Sequence, residues 1–533
     1  MPPPDPPSPV ADRRRDVVMA GLVVLSLAGT MPYFGRLMNA NERPRLLQAM
    51  AWVDTGELAV DGPAARGIAP GVDVARSPVD GRLYPNKPPG ATVPAVVAYS
   101  GLRVIAALGG PEPTLRSLTI ASRLLGALLP TLVLLWLLAR RLRARGAGAA
   151  GDAAVLLVAL ATPLTSYARL LFGHSLAACL LLAGTLWLID GTDPERGSWR
   201  RALAAGALAA SAVTVEYLAA FAGLVLAGLL VARGRRGTSR SVLLAAVAGA
   251  LLPVLALAGY HAAVFGSPLA TGYHHVVDEG FAQTHGHGLL GLGLPTAHSL
   301  LEHLLSPWGG LLWWAPLVAI ALGWGLRRWR GLDLEARVAT AMLLLLTVLL
   351  LGLAQGGGWR VGPRYLVLVM PLAAYGLAGL LHAARSRPLV AVLLLGLALA
   401  SATIDALAAN LFPHLVPHGN PLADLLLPLA LEGRPPPTLL PGGPLSLAIV
   451  VLVPVALVGW GMLRALGPWP VAARRRLVSI AALGSLLAVA LLLAALAGPS
   501  HPEAEADLEA VRSIWEPDGP RPPVRRELLP LPQ

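Results

Sequence analysis

The sequence predicts an all-α polytopic membrane protein of about thirteen transmembrane helices, with its amino terminus inside and its carboxyl terminus outside. Three observations carry this. Hydrophobic residues fill 55% of the 533 positions and charged residues only 14%, against about a quarter in a soluble chain. Apolar runs long enough to cross a bilayer recur along the whole length. The 42 basic residues outnumber the 30 acidic ones, for a net charge of +12, and they fall in short clusters between those runs as the positive-inside rule requires. That distribution argues against nucleic acid as a partner, and the alternating strands of an outer-membrane barrel are absent. The single cysteine, Cys179, lies within an apolar run, so no intramolecular disulfide forms and a thiolate metal site is not expected.

Taken in order, residues 1–16 are expected to form a disordered cytoplasmic terminus, proline-rich over 1–12 and held inside by Arg13–Arg15. Span 1 covers 17–35 and is read as uncleaved, because no A-x-A-like site follows it. The polar stretch 37–90 then lies outside and holds Lys87, the only lysine of the chain. The run 93–109 has Arg103 at its centre. If it crossed, the cluster Arg140–Arg145 after the run 117–139 would face out, so 93–109 is expected to lie along the outer interface, making 37–116 one outside layer. Beyond it come the hairpins 153–168 with 172–189 and 202–216 with 217–232, and span 241–264. Spans 309–326, 335–354, 364–382 and 388–407 follow the outside loop 265–306 and complete a core of 17–407. The unit 408–497 comprises an outside loop (408–444) and spans 445–466 and 477–497; the tail 498–533, rich in proline and both signs of charge, is expected to be loosely ordered. Arginine in place of lysine is the usage of a GC-rich bacterial genome and points to a bacterial cytoplasmic membrane.

The residues able to do chemistry gather at the predicted outer ends. Asn39, Asn41, Glu42 and Arg45 follow span 1. A carboxylate there can act as general base or orient a nucleophile, or the group can simply cap a helix. Asp73 and the segment DGRLYPNKPPG (80–90) place Tyr84, Asn86 and Lys87 on a proline-stiffened loop with a cation and donors for a phosphate; the plainer reading is a stiff external loop. His174 sits at a hairpin tip as a ligand, a proton carrier or an interface hydrogen bonder. Glu216, beside Tyr217, lies between two short spans, where a carboxylate is costly unless paired. In GGGWRVGPRY (356–365), Trp359, Arg360 and Arg364 run against the positive-inside trend, which favours an anionic partner over an interfacial anchor. Seven of the 12 histidines fall within 261–303. A divalent metal held from Tyr273–Gly288 with Asp278 and Glu279 matches no standard zinc spacing, and no metal or other cofactor is assigned.

In this order the pieces resemble the GT-C integral membrane glycosyltransferases, including the lipid A aminoarabinose transferases and protein O-mannosyltransferases. Within that superfamily the chain is most similar to a bacterial set with N-x-N…R, DG-x-x-Y-x-N-K-x-PG, FGSP and W-x-x-GPRY. Here these are Asn39/Asn41/Arg45, Asp80–Gly90, Phe265–Pro268 and Trp359–Tyr365, with Ser306–Leu311 also matching, over roughly 17–430. The resemblance implies transfer of a sugar from a polyprenyl-phosphate donor to an envelope glycan, lipid or protein acceptor at the outer face of the membrane. It implies an acceptor-side acid at Glu42 and phosphate contacts at Lys87 and Arg364; joined to the readings above, the expected site has catalytic roles among Glu42, Asp73 and His174, donor-phosphate contacts from Lys87, Arg360 and Arg364, and acceptor or sugar contacts from Asn39, Asn41, Tyr84, Glu216 and Trp359. Two positions depart from the family pattern: Asn41 replaces the first acid of a pair, and His174 stands where a second acidic position is usual. The rival readings are a non-enzymatic lipid-linked-sugar transporter or binding scaffold, and a polyprenyl-phosphate phosphotransferase or hydrolase. A transporter places polar groups at mid-membrane and carries internal repeats, and neither is seen.

Overall fold

The computed structural model describes residues 9–514 apart from 36, 38, 287–290, 354–356, 434–443, 468–473 and 499; the first eight residues, His287 and the tail beyond 514 lie outside the described residues. The chain is built almost wholly of helices. In order they are α1 (Pro9–Ala28), α2 (Arg43–Thr55), α3 (Asp61–Ala65), α4 (Val93–Ala107), α5 (Leu115–Arg123), α6 (Leu129–Ala144), α7 (Gly148–Leu160), α8 (Leu164–Tyr167), α9 (His174–Gly191), α10 (Trp199–Val215), α11 (Ala219–Arg235) and α12 (Arg240–Phe265). They continue with α13 (Glu279–Gly286), α14 (Ala297–Leu300), α15 (Leu311–Trp314), α16 (Pro316–Arg327), α17 (Leu334–Leu351), α18 (Ala373–Ala384), α19 (Pro388–Asn410), α20 (Leu427–Leu431), α21 (Pro444–Leu466), α22 (Arg474–Leu496) and α23 (Ala504–Ile514). Among the described residues, 8 helices are long and apolar enough to cross a membrane, and several shorter apolar ones pack with them. This is a multi-pass membrane protein, in which helices satisfy every backbone donor and acceptor that lipid cannot.

Small residues let the helices approach closely. A Cβ added at Gly206 in α10 would land on the carbonyl of Ala246 in α12, and one at Gly249 on that of Leu203. The helix Leu115–Ala144 is 30 residues long, about 45 Å against a hydrocarbon core of about 30 Å. A π-helical turn, Leu124–Leu128, divides it into α5 and α6. α4 packs against α2 and α5, and its Arg103 lies 3.8 Å from Asp54 at the end of α2; with the turn before it, α4 forms Pro89–Ala107, one of the 8 helices long and apolar enough to cross.

Several expected boundaries move, and proline accounts for most of the shifts. The helix of span 1 ends at Ala28 rather than 35, before Gly29 and Pro32, and begins at Pro9 within the stretch expected to be disordered. Span 153–168 stops at Leu160, ahead of Pro163, and span 309–326 breaks between α15 and α16 at Pro316. Span 364–382 opens with 3-10 turns, Arg364–Leu368 and Met370–Leu372, before α18. A proline inside a helix removes one hydrogen bond and clashes with the preceding turn. The tail is not wholly loose either, because α23 packs on the turn Leu422–Leu426.

One small sheet organises the polar segment between α3 and α4. Strand β1 (Val74–Arg76) pairs antiparallel with β2 (Leu83–Pro85), with Ala75 opposite Tyr84. That register sets Asp73 opposite Asn86, whose amide donates to the Asp73 carbonyl at 3.1 Å, and leaves Lys87 next in line. A bridge from Ala75 to Val276 then draws the segment around Tyr273 against the hairpin.

Candidate active site

Glu42 is the anchor of the layer. It stands at the N-cap position of α2, its side chain turned to other partners, and is only 2% exposed. Arg123 of α5 grips it with two bonds, Nε to Oε1 at 2.7 Å and Nη2 to Oε2 at 2.5 Å. The Leu171 amide donates to Oε1 at 2.7 Å and Asn39 Nδ2 donates to Oε2 at 2.8 Å. A carboxylate offers about four lone-pair sites, so these four bonds fill it. Burial works to raise its pKa, but Arg123 and the Leu171 amide outweigh burial and hold it below the usual carboxylate range. The loop that supplies Leu171 is fixed in turn by the buried Arg169, which donates to the Leu27 carbonyl and to Asn410 Oδ1, both at 2.9 Å. Glu42 thus ties α2, α5 and the entry to α9 together.

Asp73 is placed differently. It is 4% exposed and lines a cavity of about 360 Å³ together with Asn39, Asn41, Trp359, Arg364 and His414. Its Oδ1 receives Asn86 Nδ2 at 3.2 Å and stands 3.6 Å from Lys87 Nζ. Burial would raise its pKa, yet Lys87, Arg364, the Asn86 bond and Arg45 together keep it below the usual value, so it is ionised at neutral pH. Lys87 also rests over the Tyr273 ring, 4.7 Å from its centroid, in a cation–π contact. Arg364 lies over the Tyr365 ring at the same distance, 4.7 Å, and donates to its hydroxyl at 2.8 Å. Its buried Nε has no partner among the described residues.

A second set of charges lies buried against the first. Arg45 donates to the Leu171 carbonyl at 2.6 Å and feels Glu216, Asp73 and Glu42; burial depresses its pKa most of all. Glu216 Oε2 lies 3.1 Å from His174 Nδ1, at ion-pair distance but off the line of a hydrogen bond. His174 is ringed by Tyr167, Phe172 and Tyr365, with centroids 5.3, 6.4 and 6.0 Å away. The cations Arg45, Lys87 and Arg364 face the anions Asp73 and Glu216, which leaves one positive charge in excess when His174 is neutral. Such a layer is built to receive an anion.

Other expected site residues are engaged elsewhere. Arg360 is 2% exposed, donates to Glu302 Oε1 at 2.7 Å, and also bonds the Gly357 carbonyl. Its charge is already matched by Glu302, so it is a less suitable phosphate ligand than Arg364. Tyr84 donates to Asp80 Oδ2 at 2.8 Å and packs edge-on against Phe265, centroids 6.4 Å apart, facing a small core away from the cavity. Of the histidines of 273–288, the two whose side chains are described are engaged away from any metal geometry: His275 stacks on Phe265 at 5.6 Å and His274 Nδ1 accepts from the Thr271 amide at 3.0 Å. Among the described residues, one trio of possible ligands meets, His418, His501 and Asp507. There, His501 Nδ1 accepts the Glu503 amide at 3.2 Å, whereas a metal-bound imidazole donates from its second nitrogen.

Sequence reasoning missed three participants: Arg123, Tyr273 and His414. His414 is 3% exposed and lines the cavity, with Nδ1 3.4 Å from Asn39 Nδ2 and Nε2 without a partner among the described residues. Burial drives its pKa down to about 3, so it is neutral. Its only sequence signal was a position just past the outer end of a predicted span. Ile514, at the end of α23, reaches the same cavity. His418 Nε2, 2.6 Å from Asp507 Oδ2, and an ion pair between Arg512 and Glu432 hold that helix in place.

No protein-family model matches the chain, and no curated protein does. Among solved structures, the chain is similar to the apo-state crystal structure of ArnT from Cupriavidus metallidurans, at 15% identity over 90% of this chain and 78% of that one, with a TM-score of 0.40. A superposition that loose assigns no activity to this chain.

Proposed function

We propose that this chain is a membrane glycosyltransferase that takes a sugar from a polyprenyl-phosphate donor and passes it to a hydroxyl of an envelope glycan, lipid or protein at the outer face of a bacterial cytoplasmic membrane. One observation carries the reading: a single cavity is lined by an ionised carboxylate, Asp73, and by the cation Arg364, which meets no carboxylate at ion-pair distance among the described residues, while Lys87 is held against Asp73. Asp73 takes the proton of the acceptor hydroxyl as its oxygen bonds to the anomeric carbon. The bond from that carbon to the phosphate oxygen breaks, and polyprenyl phosphate leaves with the electron pair. Arg364 and Lys87 stabilise the charge growing on the phosphate, and the excess positive charge of the buried layer adds to that field. Trp359, 38% exposed on the cavity wall, offers a face for the sugar ring. Of the two candidate bases, Asp73 is preferred because all four acceptor positions of Glu42 are already taken; Glu42 is then a positioning residue.

The orientation belongs to the same proposal: amino terminus inside, carboxyl terminus outside, and α4 lying with α2 and α5 in the outer layer. The surplus length of α5–α6 and the Arg103–Asp54 contact support it. Protein reconstituted in lipid and given polyprenyl-phosphate sugars with a membrane extract should release polyprenyl phosphate, and Asp73→Asn should not. Full turnover by Asp73→Asn would remove the assigned base.

A further inference from the structure

At the far end of α9 from His174, about 27 Å along the helix axis, lies a second cavity, of about 480 Å³, which the transfer reaction does not use. Six arginines line it: Arg141, Arg145, Arg196, Arg201, Arg233 and Arg236. Four carboxylates share it: Asp190, Asp193, Asp333 and Glu335.

The pairing is uneven. Arg141 binds Asp190 at 2.6 Å and Glu335 at 2.5 Å. Arg145 binds Asp333 and reaches Glu335 at 3.2 Å. Arg233 reaches Asp193 at 3.7 Å and donates to the Ile189 carbonyl at 2.9 Å. The four acids are therefore committed to three arginines. Arg196, Arg201 and Arg236 form no ion pair among the described residues, so the six cations exceed the four anions by two. Arg233 is itself only 8% exposed, and its Nε has no hydrogen-bond partner among the described residues. The positive-inside rule accounts for arginines at this end of the bundle. It does not account for a concave site in which carboxylates brace three of them and leave three open, with a buried guanidinium donor unspent.

We propose that this cavity binds a phosphate-bearing anion. Guanidinium groups match phosphate oxygens in geometry and charge, and an excess of two positive charges suits one phosphate monoester or two phosphodiesters. The braced arginines supply the preorganised wall, and Arg196, Arg201 and Arg236 supply the neutralising charge. The phosphate comes either from an anionic lipid headgroup or from a soluble phosphate, and the two are separable.

The test uses the full-length protein in detergent, titrated by native mass spectrometry with dioctanoyl phosphatidylglycerol, dioctanoyl phosphatidylcholine and inorganic phosphate. The expected result is saturable binding of the phosphatidylglycerol or of the phosphate, at least tenfold tighter than any binding of the zwitterionic lipid. R196Q/R201Q/R236Q should weaken that binding by roughly tenfold or more, since charge-assisted contacts are lost. R327Q/R330Q, which removes two exposed arginines of the same end outside the cavity, should leave it unchanged. Phosphatidylglycerol alone binding identifies a headgroup site, and phosphate alone a soluble ligand. If neither binds, or if the control variant weakens binding as much as the triple variant, the proposal is overturned. If the triple variant does not fold, R236Q alone carries the same comparison.

Discussion

Replacing Glu42 by glutamine is the sharpest test of how the outer layer is built. The side chain keeps its shape but loses its charge, and Arg123, only 3% exposed, is left without a counter-ion. If the amide oxygen takes the place of Oε1, it still accepts from Arg123 Nε and the Leu171 amide. The amide nitrogen then points its hydrogens at Arg123 Nη2 and Asn39 Nδ2, both donors. Removing one partner of a buried ion pair costs about 3–5 kcal/mol. The unfolding equilibrium should therefore shift by roughly two to three and a half powers of ten. Unfolding in mixed micelles, followed by tryptophan fluorescence, measures this directly. Adding Arg123→Met in the same chain should recover part of the loss, because an uncharged pair leaves no orphan charge; the Pro32 carbonyl, which Arg123 Nη1 reaches at 2.6 Å, limits the recovery. A Glu42→Gln protein as stable as the parent yet inactive would refute the reasoning, since Glu42 would then be a reacting group rather than an anchor.

Asp73→Asn should behave in the opposite way, with turnover falling by about 10²–10⁴-fold while stability drops less than in Glu42→Gln. Arg364→Gln should raise the KM for the donor more than it lowers binding of an acceptor, as read from initial rates with each substrate varied. Gly357→Ala places a Cβ on the Arg364 guanidinium at a backbone φ of +93, so Arg364 must move and turnover should fall even though residue 357 bears no reactive group. His414 is held neutral in the fold with a pKa near 3, below its ordinary value of 6.5. The unfolded chain binds the proton first, so the stability it contributes is complete above pH 6.5 and declines as pH falls toward 3. Between pH 6.5 and 5, above the carboxylate range, His414→Gln should flatten that slope in thermal unfolding, and an unchanged slope would rule the histidine out as its source.

The legible part of the site followed from composition against an apolar background. Lys87, Asp73 and the arginines of 356–365 stood out because lipid-facing sequence tolerates so few charges, and all of them lie in the layer that holds the cavity. What could not be read was which charges are spent. Arg360 and Arg364 look equivalent four residues apart, yet one meets Glu302, 58 positions away, and the other has a buried Nε without a partner among the described residues. The irregular starts and ends of the spans were misjudged for a simpler reason. Hydropathy averages over a turn or more and does not register where a single proline stops the helix.

The sequence by itself determined that the chain is a bundle of apolar membrane helices, because burying apolar residues in lipid is a local demand that a one-dimensional pattern expresses. Only the tertiary structure decided the surroundings of the two acids Glu42 and Asp73. The β1–β2 register carries Asp73 to the cavity beside Lys87, and a contact across 81 positions with Arg123 saturates Glu42. Saturation is a property of three-dimensional neighbours, and two carboxylates with the same local chemistry acquire different environments from the partners that folding brings to them.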